Sequence, residues 1–194
     1  TYAWVVPLVV LGIPAFLALF WAIAISLARL LWSDDWRRIV ILAVFLGLAE
    51  YLRGTILTGF PWNTIGYAAL SNALMMQSAS VLGLYGVTPL AILVFASPAI
   101  FAPASGAKPR RVRALLMVCL VLAVSHVGFG YWRLQQNPVR FVDEVRLRIV
   151  QPAIRQNEKW LPENESEIFN SYLELSDSKN GDITHFIWPE SAFP

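Results

Sequence analysis

The chain has 194 residues, of which 57% are hydrophobic and 14% charged, and its mean hydropathy is +0.55. This composition is too apolar for an ordinary soluble domain, and it also excludes a disordered chain, a collagen-like fibre and a disulfide scaffold. The net charge of +2 is unevenly distributed, because residues 1–132 carry 8 basic and 3 acidic side chains whereas residues 133–194 carry 7 basic and 10 acidic ones. We therefore expect two different parts joined near residue 133.

Four apolar stretches in the first part predict membrane-spanning helices. The run Thr1–Ala28 contains no charged or amide side chain, and as a helix rising ~1.5 Å per residue it exceeds the ~30 Å hydrocarbon core of a bilayer. Pro7 and Pro14 are expected to bend this helix. The uncharged stretch Ser78–Ala107 is broken by glycine and proline, so we expect an interfacial or re-entrant helix first and the span after it. The four spans are predicted near residues 3–31, 37–53, 84–102 and 112–132.

The basic residues predict how these helices are oriented. Short loops rich in lysine and arginine stay in the cytoplasm, and one such group follows the first span while another precedes the fourth. With four alternating spans, the loop 53–73 and everything after Trp132 lie on the periplasmic or extracellular side. We also expect the chain to be the middle part of a longer protein. The basic groups are Arg29, Arg37 and Arg38, and Lys108, Arg110, Arg111 and Arg113.

The second part has a β-α-β pattern. In Val145–Val150 apolar residues alternate with arginines and then become continuous, which predicts a strand entering a core. Ile168, Tyr172 and Leu175 recur at helical spacing among glutamates, which predicts an amphipathic helix. Ile183–Trp188 is a second strand. A right-handed crossover makes the two strands parallel, and because parallel sheets are covered on both faces, we expect the rest of this sheet beyond residue 194.

Glu190 is a candidate catalytic residue by its position. It follows Trp188 and Pro189 at the carboxyl end of the second strand, where open α/β sheets place functional residues. Proline cannot donate a ladder hydrogen bond, so the strand ends there and the carboxylate projects from the sheet edge. From position alone, a solvated loop glutamate is the more common explanation.

The string Ile187–Ala192 resembles the first catalytic motif of the nitrilase, or carbon–nitrogen hydrolase, superfamily. Within it, the attached helical membrane part resembles the apolipoprotein N-acyltransferase family. The loop Gly59-Phe60-Pro61-Trp62-Asn63, the strand Ile149-Val150-Gln151-Pro152 and the pair Lys159-Trp160 support the narrower match. The resemblance implies a membrane α-helical bundle over residues 1–132, followed at 133–194 by the start of an α/β nitrilase-like α-β-β-α sandwich outside the cytoplasm of a bacterium, at its inner membrane.

The resemblance also implies a Glu–Lys–Cys triad. Its cysteine attacks the sn-1 ester of a phospholipid, and the resulting thioester acylates the α-amino group of a diacylglyceryl-modified cysteine on an apolipoprotein. Glu190 matches the general base, whereas the lysine and the cysteine of the family follow the first motif and are absent from this chain. The segment alone is therefore expected to be inactive. The implied partners are a phospholipid acyl donor, an apolipoprotein acceptor and membrane lipids, with no cofactor, metal or nucleic acid.

The remaining candidate site residues are aromatic or charged side chains near the predicted membrane surface. Their common structural roles are a turn anchored at the interface, a core tryptophan, and an i, i+3 ion pair between Glu50 and Arg53. The functional alternative is contact with lipid, including a headgroup contact by Arg53. The predicted substrate-binding residues are Arg53, Phe60, Pro61, Trp62, Asn63 and Trp160.

Other reactive side chains are expected to be structural. Cys119 lies in the middle of the fourth span, where apolar surroundings disfavour a thiolate, so we expect a packed thiol. His126 is expected to be hydrogen-bonded inside the bundle, and His185 is not expected to be catalytic. Two distant histidines cannot form a metal site. Lys159 and Lys179 are expected on the surface.

Two other function classes remain open at this point. A transporter would use Glu50, Arg53 and His126 to line a path, but this hypothesis explains neither the β-α-β pattern nor the motif at Glu190. A non-catalytic membrane anchor with an α/β binding domain would share the predicted topology. A lysine and then a cysteine at downstream strand ends would favour the enzyme over the anchor.

Overall fold

A computed structural model of the protein describes residues 3–101, 109–177 and 182–190. Its contacts divide the chain into two compact units, Thr1–Pro138 and Val139–Pro194. The junction was predicted near residue 133, and the last helix of the first unit continues to Gln136. The predictions for Lys108, for Lys179 and for residues 191–192 of the catalytic motif lie outside the described residues.

Five helices and three short 3₁₀ segments make up the described part of the first unit. The helices are α1 (Val6–Leu30), α2 (Arg37–Thr55), α3 (Ala73–Met76), α4 (Ala79–Ala96) and α5 (Pro109–Gln136). The 3₁₀ segments are Ala3–Val5, Ile65–Ala69 and Ser97–Phe101.

Three of these elements are long and apolar enough to cross a membrane. They are Ala3–Leu30, Ala79–Phe101 and Pro109–Gln136, judged by length and composition. Helix α2 was predicted as the second of four spans, and it is 19 residues long, but four charged residues make it too polar to be identified in this way. These residues are Arg37, Arg38, Glu50 and Arg53.

Helix α2 nevertheless lies along α4 in the opposite direction. Near the start of α2, Arg38 Nη2 donates a hydrogen bond to the carbonyl of Ala99, just after α4. In the middle, a Cβ on Gly47 would lie 2.9 Å from Pro89 Cβ, so the two backbones approach closely. At the other end, Tyr51 and Tyr85 pack edge to face, with their ring centroids 5.5 Å apart. The ends of α2 therefore contact opposite ends of α4.

The sequence predicts breaks in α4 at its glycine and proline residues. The helix is interrupted at one of these, Gly83. Gly83 has φ 64° and ψ 171°, which a helix cannot contain. Pro89 lies within the helix, and Pro98 lies in the following 3₁₀ segment. The prediction of a break before the main apolar stretch is therefore confirmed at Gly83.

Helix α5 packs against α4 and against the segment between α2 and α4. Near its start, Leu115 and Cys119 join a buried cluster with Ile39 and Ile100. Towards its end, three residues at helical spacing contact the segment that precedes α4. His126 Nε2 lies 2.8 Å from the carbonyl oxygen of Ala69, Gly130 lies against the backbone of Leu74, and Arg133 Nε donates to Gln77 Oε1.

The second unit has the predicted β-α-β order. Strands β1 (Leu147–Ile149) and β2 (His185–Ile187) are parallel, and α6 (Glu165–Ser176) lies between them in sequence. Val150, Ile168 and Tyr172 form the buried cluster of this unit. Leu175, the third member of the predicted apolar face of α6, is 46% exposed and lies outside this cluster.

One face of this two-stranded sheet is open to solvent. Side chains alternate between the two faces of a strand, and Leu147 and Ile149, which share a face of β1, are 56% and 77% exposed. Ile187, paired with Ile149 in the register, is 44% exposed. The apolar side chains that are buried against α6 therefore lie on one face of the sheet.

We predict that Gly130→Ala destabilises the first unit whereas Gly128→Ala does not. A Cβ on Gly130 would lie 2.1 Å from the carbonyl oxygen of Leu74, so α5 would have to move away, whereas a Cβ on Gly128 meets nothing within 4 Å. Overpacking of this kind costs about 1–3 kcal/mol. Thermal unfolding of the full-length protein in detergent should show a lower Tm for Gly130→Ala only. Equal Tm values for the two variants would contradict the close approach.

Candidate functional site

The loop that follows α2 contains four of the predicted substrate-binding residues and has an unusual backbone. Leu57, Thr58 and Asn63 have φ values of 52°, 71° and 54°, and Gly59 has φ 78°. Positive φ is uncommon for residues other than glycine, and it is a true outlier for β-branched threonine. For each residue other than glycine, positive φ raises the free energy of the folded loop by on the order of 1–3 kcal/mol. Contacts outside the loop must therefore stabilise this conformation.

Arg53, near the end of α2, makes several of these contacts. Its carbonyl accepts a 2.8 Å hydrogen bond from the amide of Phe60, and its Nη1 donates a 2.9 Å hydrogen bond to the carbonyl of Trp62. Its guanidinium also lies 5.7 Å from the centre of the Phe60 ring, within cation–π range. Both the main chain and the side chain of Arg53 therefore bind the loop.

The Arg53 side chain is buried, and it is paired with Glu50 as predicted. Arg53 Nη2 lies 2.6 Å from Glu50 Oε2, and the two side chains are 2% and 0% exposed. The pairing is thus confirmed, whereas a headgroup contact by Arg53 stays a prediction that requires this buried guanidinium to become accessible. Breaking a buried pair by removing one partner is strongly destabilising, because the other charge is left uncompensated.

Trp21 of α1 completes this cluster, and sequence reasoning missed it. Its Nε1 donates a 3.0 Å hydrogen bond to Glu50 Oε1, and its ring centre lies 5.3 Å from the Arg53 guanidinium carbon. A signal was present, because an indole N–H inside an apolar span needs an acceptor, and Glu50 is the one carboxylate in residues 36–132. We call Trp21, Glu50 and Arg53 the Arg53 cluster.

The loop presents aromatic side chains on the surface of the first unit. Trp62 is 66% exposed, Tyr67 is 51% exposed and Phe60 is 37% exposed. Pro61 and Asn63 are exposed as well. Phe60, Pro61, Trp62 and Asn63 therefore lie together in one loop, with Arg53 beneath them, and their chemistry suits contact with apolar or interfacial groups.

An apolar cavity of about 520 Å³ lies between α4, α5 and the segment before α4. Its volume is in the range of roughly 300–1,000 Å³ that is common for small-molecule sites. His126 and Ser78 contribute polar atoms to the lining. His126 Nδ1 lies 2.8 Å from Ser78 Oγ, and Nε2 is bonded to the Ala69 carbonyl, so the prediction of a hydrogen-bonded His126 is confirmed.

Glu190 is an exposed carboxylate of the second unit, just after β2. Trp188, two residues earlier, fixes the chain at this point, because its Nε1 donates a 3.0 Å hydrogen bond to Ser176 Oγ and its ring lies 4.8 Å from that of Tyr172. Within the described residues, Glu190 has no hydrogen bond or ion pair. It is therefore an exposed carboxylate at the carboxyl end of a parallel strand, the edge where open α/β sheets place functional residues.

Trp160, the other predicted binding residue of the second unit, is 52% exposed. Lys159 Nζ lies 5.5 Å from the centre of its ring. In the described part of the chain, no ring contact or hydrogen bond joins Trp160 to Glu190. Trp160 is thus not the core tryptophan that is common in soluble domains, and its exposed ring is available to a ligand.

The surroundings of Cys119 and His185 are those of structural residues. Cys119 is 5% exposed, and its Sγ lies 3.7 Å from the carbonyl oxygen of Leu93, so the prediction of a packed thiol is confirmed. His185 is exposed on β2, and its Nδ1 lies 2.9 Å from Thr184 Oγ1. Among the described residues, no group of three or more His, Cys, Asp or Glu side chains could hold a metal ion.

Comparison with known proteins gives consistent matches. The family model for the apolipoprotein N-acyltransferase N-terminal domain matches residues 1–97. Apolipoprotein N-acyltransferases from Rhodopseudomonas palustris, Rhizobium meliloti and Brucella suis are 44%, 45% and 46% identical to this chain over its whole length. The alignments cover 37%, 36% and 36% of these relatives, so the chain spans a little over a third of their length.

We call residues 56–64 the aromatic loop, and we predict that Gly59→Ala disorders it. A Cβ on Gly59 would lie 2.3 Å from the carbonyl oxygen of Gly54, and the φ of 78° disfavours any L side chain. Hydrogen exchange in the full-length protein should accelerate at residues 56–64 and remain unchanged in α5. Gly12→Ala is the matched control, because a Cβ there meets nothing within 4 Å. Unchanged exchange in Gly59→Ala would show that the loop does not need this backbone.

Proposed function

Because the chain belongs to the apolipoprotein N-acyltransferase family, we propose that the full-length protein transfers an acyl chain from a phospholipid to the amino terminus of apolipoproteins. The acceptor is the α-amino group of a diacylglyceryl-modified cysteine, and lipoprotein maturation is the biological outcome. The observation that carries this proposal is the position of Glu190, an exposed carboxylate after a parallel strand in a chain that also contains helices apolar enough to cross a membrane.

In the proposed mechanism, Glu190 moves protons in two half-reactions. It takes the proton of a cysteine thiol, and the thiolate attacks the sn-1 ester carbonyl of the phospholipid. The ester C–O bond breaks, the lysophospholipid leaves with the proton held by Glu190, and a thioester remains. The amine of the acceptor then attacks the thioester, Glu190 takes the amine proton, and the thiol is regenerated by protonation.

A cysteine and a lysine are required for this mechanism in addition to Glu190. The lysine would stabilise the negatively charged oxygen of each tetrahedral intermediate. Cys119 is unsuited to the nucleophilic role, because its side chain is buried in the cluster with Ile39, Ile100 and Leu115 and is not accessible to a substrate ester. We therefore propose that other parts of the protein supply both groups and that residues 1–194 alone have no activity.

We propose that the protein is a multi-pass protein of the bacterial inner membrane with four crossings in this segment. Helix α2 contributes a crossing because it lies along α4 from Arg38 to Tyr51, with its charged residues Glu50 and Arg53 paired and buried. The basic residues at the start of α2 and of α5 are then cytoplasmic. The aromatic loop after α2 and the residues after Gln136 lie on the periplasmic side.

The aromatic loop is proposed to contact the phospholipid donor. Phe60 and Trp62 are exposed next to Pro61 and Asn63, and aromatic rings of this kind favour the boundary between acyl chains and headgroups. Trp160, exposed in the second unit, is proposed to contact an acyl chain. The transporter hypothesis is disfavoured, because Glu50 and Arg53 are paired and buried and therefore do not line a path.

We predict that Glu190→Gln lowers acyl transfer by about 10²–10⁴ in rate, because glutamine keeps the size of the side chain but cannot accept a proton. The full-length variant should be assayed for acyl-enzyme formation from labelled phospholipid and for transfer to an apolipoprotein peptide. Glu174→Gln, which removes an exposed carboxylate of α6, is the matched control and should transfer normally. Unchanged transfer by Glu190→Gln would refute the role of Glu190 and favour the non-catalytic anchor.

We predict that Asp34→Cys and Glu163→Cys react from opposite sides of the membrane. Both positions are exposed, the first between α1 and α2 and the second in the second unit. In intact cells whose outer membrane is permeabilised, an impermeant maleimide should label Glu163→Cys in a background without other cysteines. Asp34→Cys should be labelled only after lysis. Labelling of both positions before lysis would contradict the proposed orientation.

A further inference from the structure

The Arg53 cluster lies beneath the aromatic loop, and Trp21 and Glu50 are not among the residues predicted to bind substrate. We propose that Trp21 and Glu50 are positioning residues for the phospholipid donor: they orient Arg53 so that its Nη1 binds the Trp62 carbonyl and fixes the aromatic loop. The effect on catalysis rests on the proposed function, whereas the effect on the loop does not.

Glu50 is held in one orientation by two donors. Its Oε1 accepts a 3.0 Å hydrogen bond from Trp21 Nε1, and its Oε2 accepts a 2.6 Å hydrogen bond from Arg53 Nη2. Each carboxylate oxygen of Glu50 therefore has its own partner. Oε1 is bound by Trp21 of α1, and Oε2 is bound by Arg53 of α2, the helix that also contains Glu50. Because the Glu50 side chain is 0% exposed, no solvent competes for these contacts.

Arg53 in turn is oriented by three contacts on different sides. Glu50 binds Nη2, the Trp21 ring lies 5.3 Å from the guanidinium carbon, and the Trp62 carbonyl receives Nη1. Arg53 Nε is buried, and it has no hydrogen-bond partner in the described part of the chain. The guanidinium thus directs Nη1 at the loop and Nη2 at Glu50.

The loop also has hydrogen bonds from the Phe60 amide to the Arg53 carbonyl and from the Gly59 amide to the Ile56 carbonyl, and the bond from Arg53 Nη1 adds a side-chain donor from outside the loop. Trp62 is 66% exposed, so packing of its side chain contributes little. The backbone at Leu57, Thr58 and Asn63 has positive φ and would relax if it were released. Phe60 presents its ring to the Arg53 guanidinium, so a change in the orientation of Arg53 displaces both exposed aromatic residues.

A purely structural role makes a different prediction, and two variants of the full-length protein separate the roles. Glu50→Gln leaves Arg53 buried without a negative partner. The double variant Glu50→Gln, Arg53→Met removes both charges and restores neutrality, and methionine has no hydrogen-bond donor for the Trp62 carbonyl. If the cluster serves only to compensate charge, the double variant should behave like the wild-type protein in every measurement.

We expect both variants to accelerate hydrogen exchange at residues 56–64 by at least tenfold. We also expect both to raise the KM for phospholipid by about tenfold with kcat within twofold, since a preset binding surface contributes uniform binding. The double variant should recover a Tm near that of the wild-type protein. Wild-type loop exchange and KM in the double variant, or in Glu50→Gln, would overturn the proposal.

Two further variants keep the test decisive. Trp21→Phe removes the indole N–H but retains the ion pair, so it should accelerate loop exchange even if Glu50→Gln does not fold, and unchanged exchange would overturn the role of Trp21. Arg37→Gln breaks the exposed pair with Asp35 at the other end of α2 and should leave the loop unchanged. Because hydrogen exchange requires no turnover, failure of the proposed function and failure of this inference give different results.

Discussion

The structure of the first unit depends on how one buried cation is compensated. Arg53 lies inside a bundle in which α1, α4 and α5 are apolar enough to cross a membrane, and its charge is paired with Glu50 at 2.6 Å. Uncompensated charge at this depth would be costly. The pair connects α2 to α1 through Trp21 and to the following loop through Trp62. One electrostatic requirement therefore links α2 to the loop that follows it and to α1, which is distant in sequence.

Close backbone approach supplies the second constraint on the bundle. Gly47 permits contact between α2 and Pro89 of α4, and Gly130 permits contact between α5 and the segment before α4. Apolar helices gain little from the hydrophobic effect in lipid, so tight packing and interhelical hydrogen bonds must stabilise their association. His126 and Arg133 provide such bonds on the same face of α5 as Gly130. The path of α2 along α4 follows from these contacts rather than from its own hydropathy.

The sequence predicted the features that follow from a strong local pattern. The apolar stretches, the parallel β-α-β order, the Glu50–Arg53 pair and the bonded His126 each follow from spacing or from the cost of burying a polar group. Trp21 was missed because α1 is apolar all round, so its sequence does not show which face meets Glu50. The loop backbone was missed because Leu57 and Thr58 disfavour positive φ, and hydrogen bonds from outside the loop overrule that preference.

The sheet of the second unit leaves Leu147 and Ile149 open to solvent on the face away from α6. A two-stranded sheet needs packing for stability, and the packing on α6 covers one face only. Uncovered apolar side chains at neighbouring positions favour contact with another apolar surface, so self-association in water should begin at this face of the sheet.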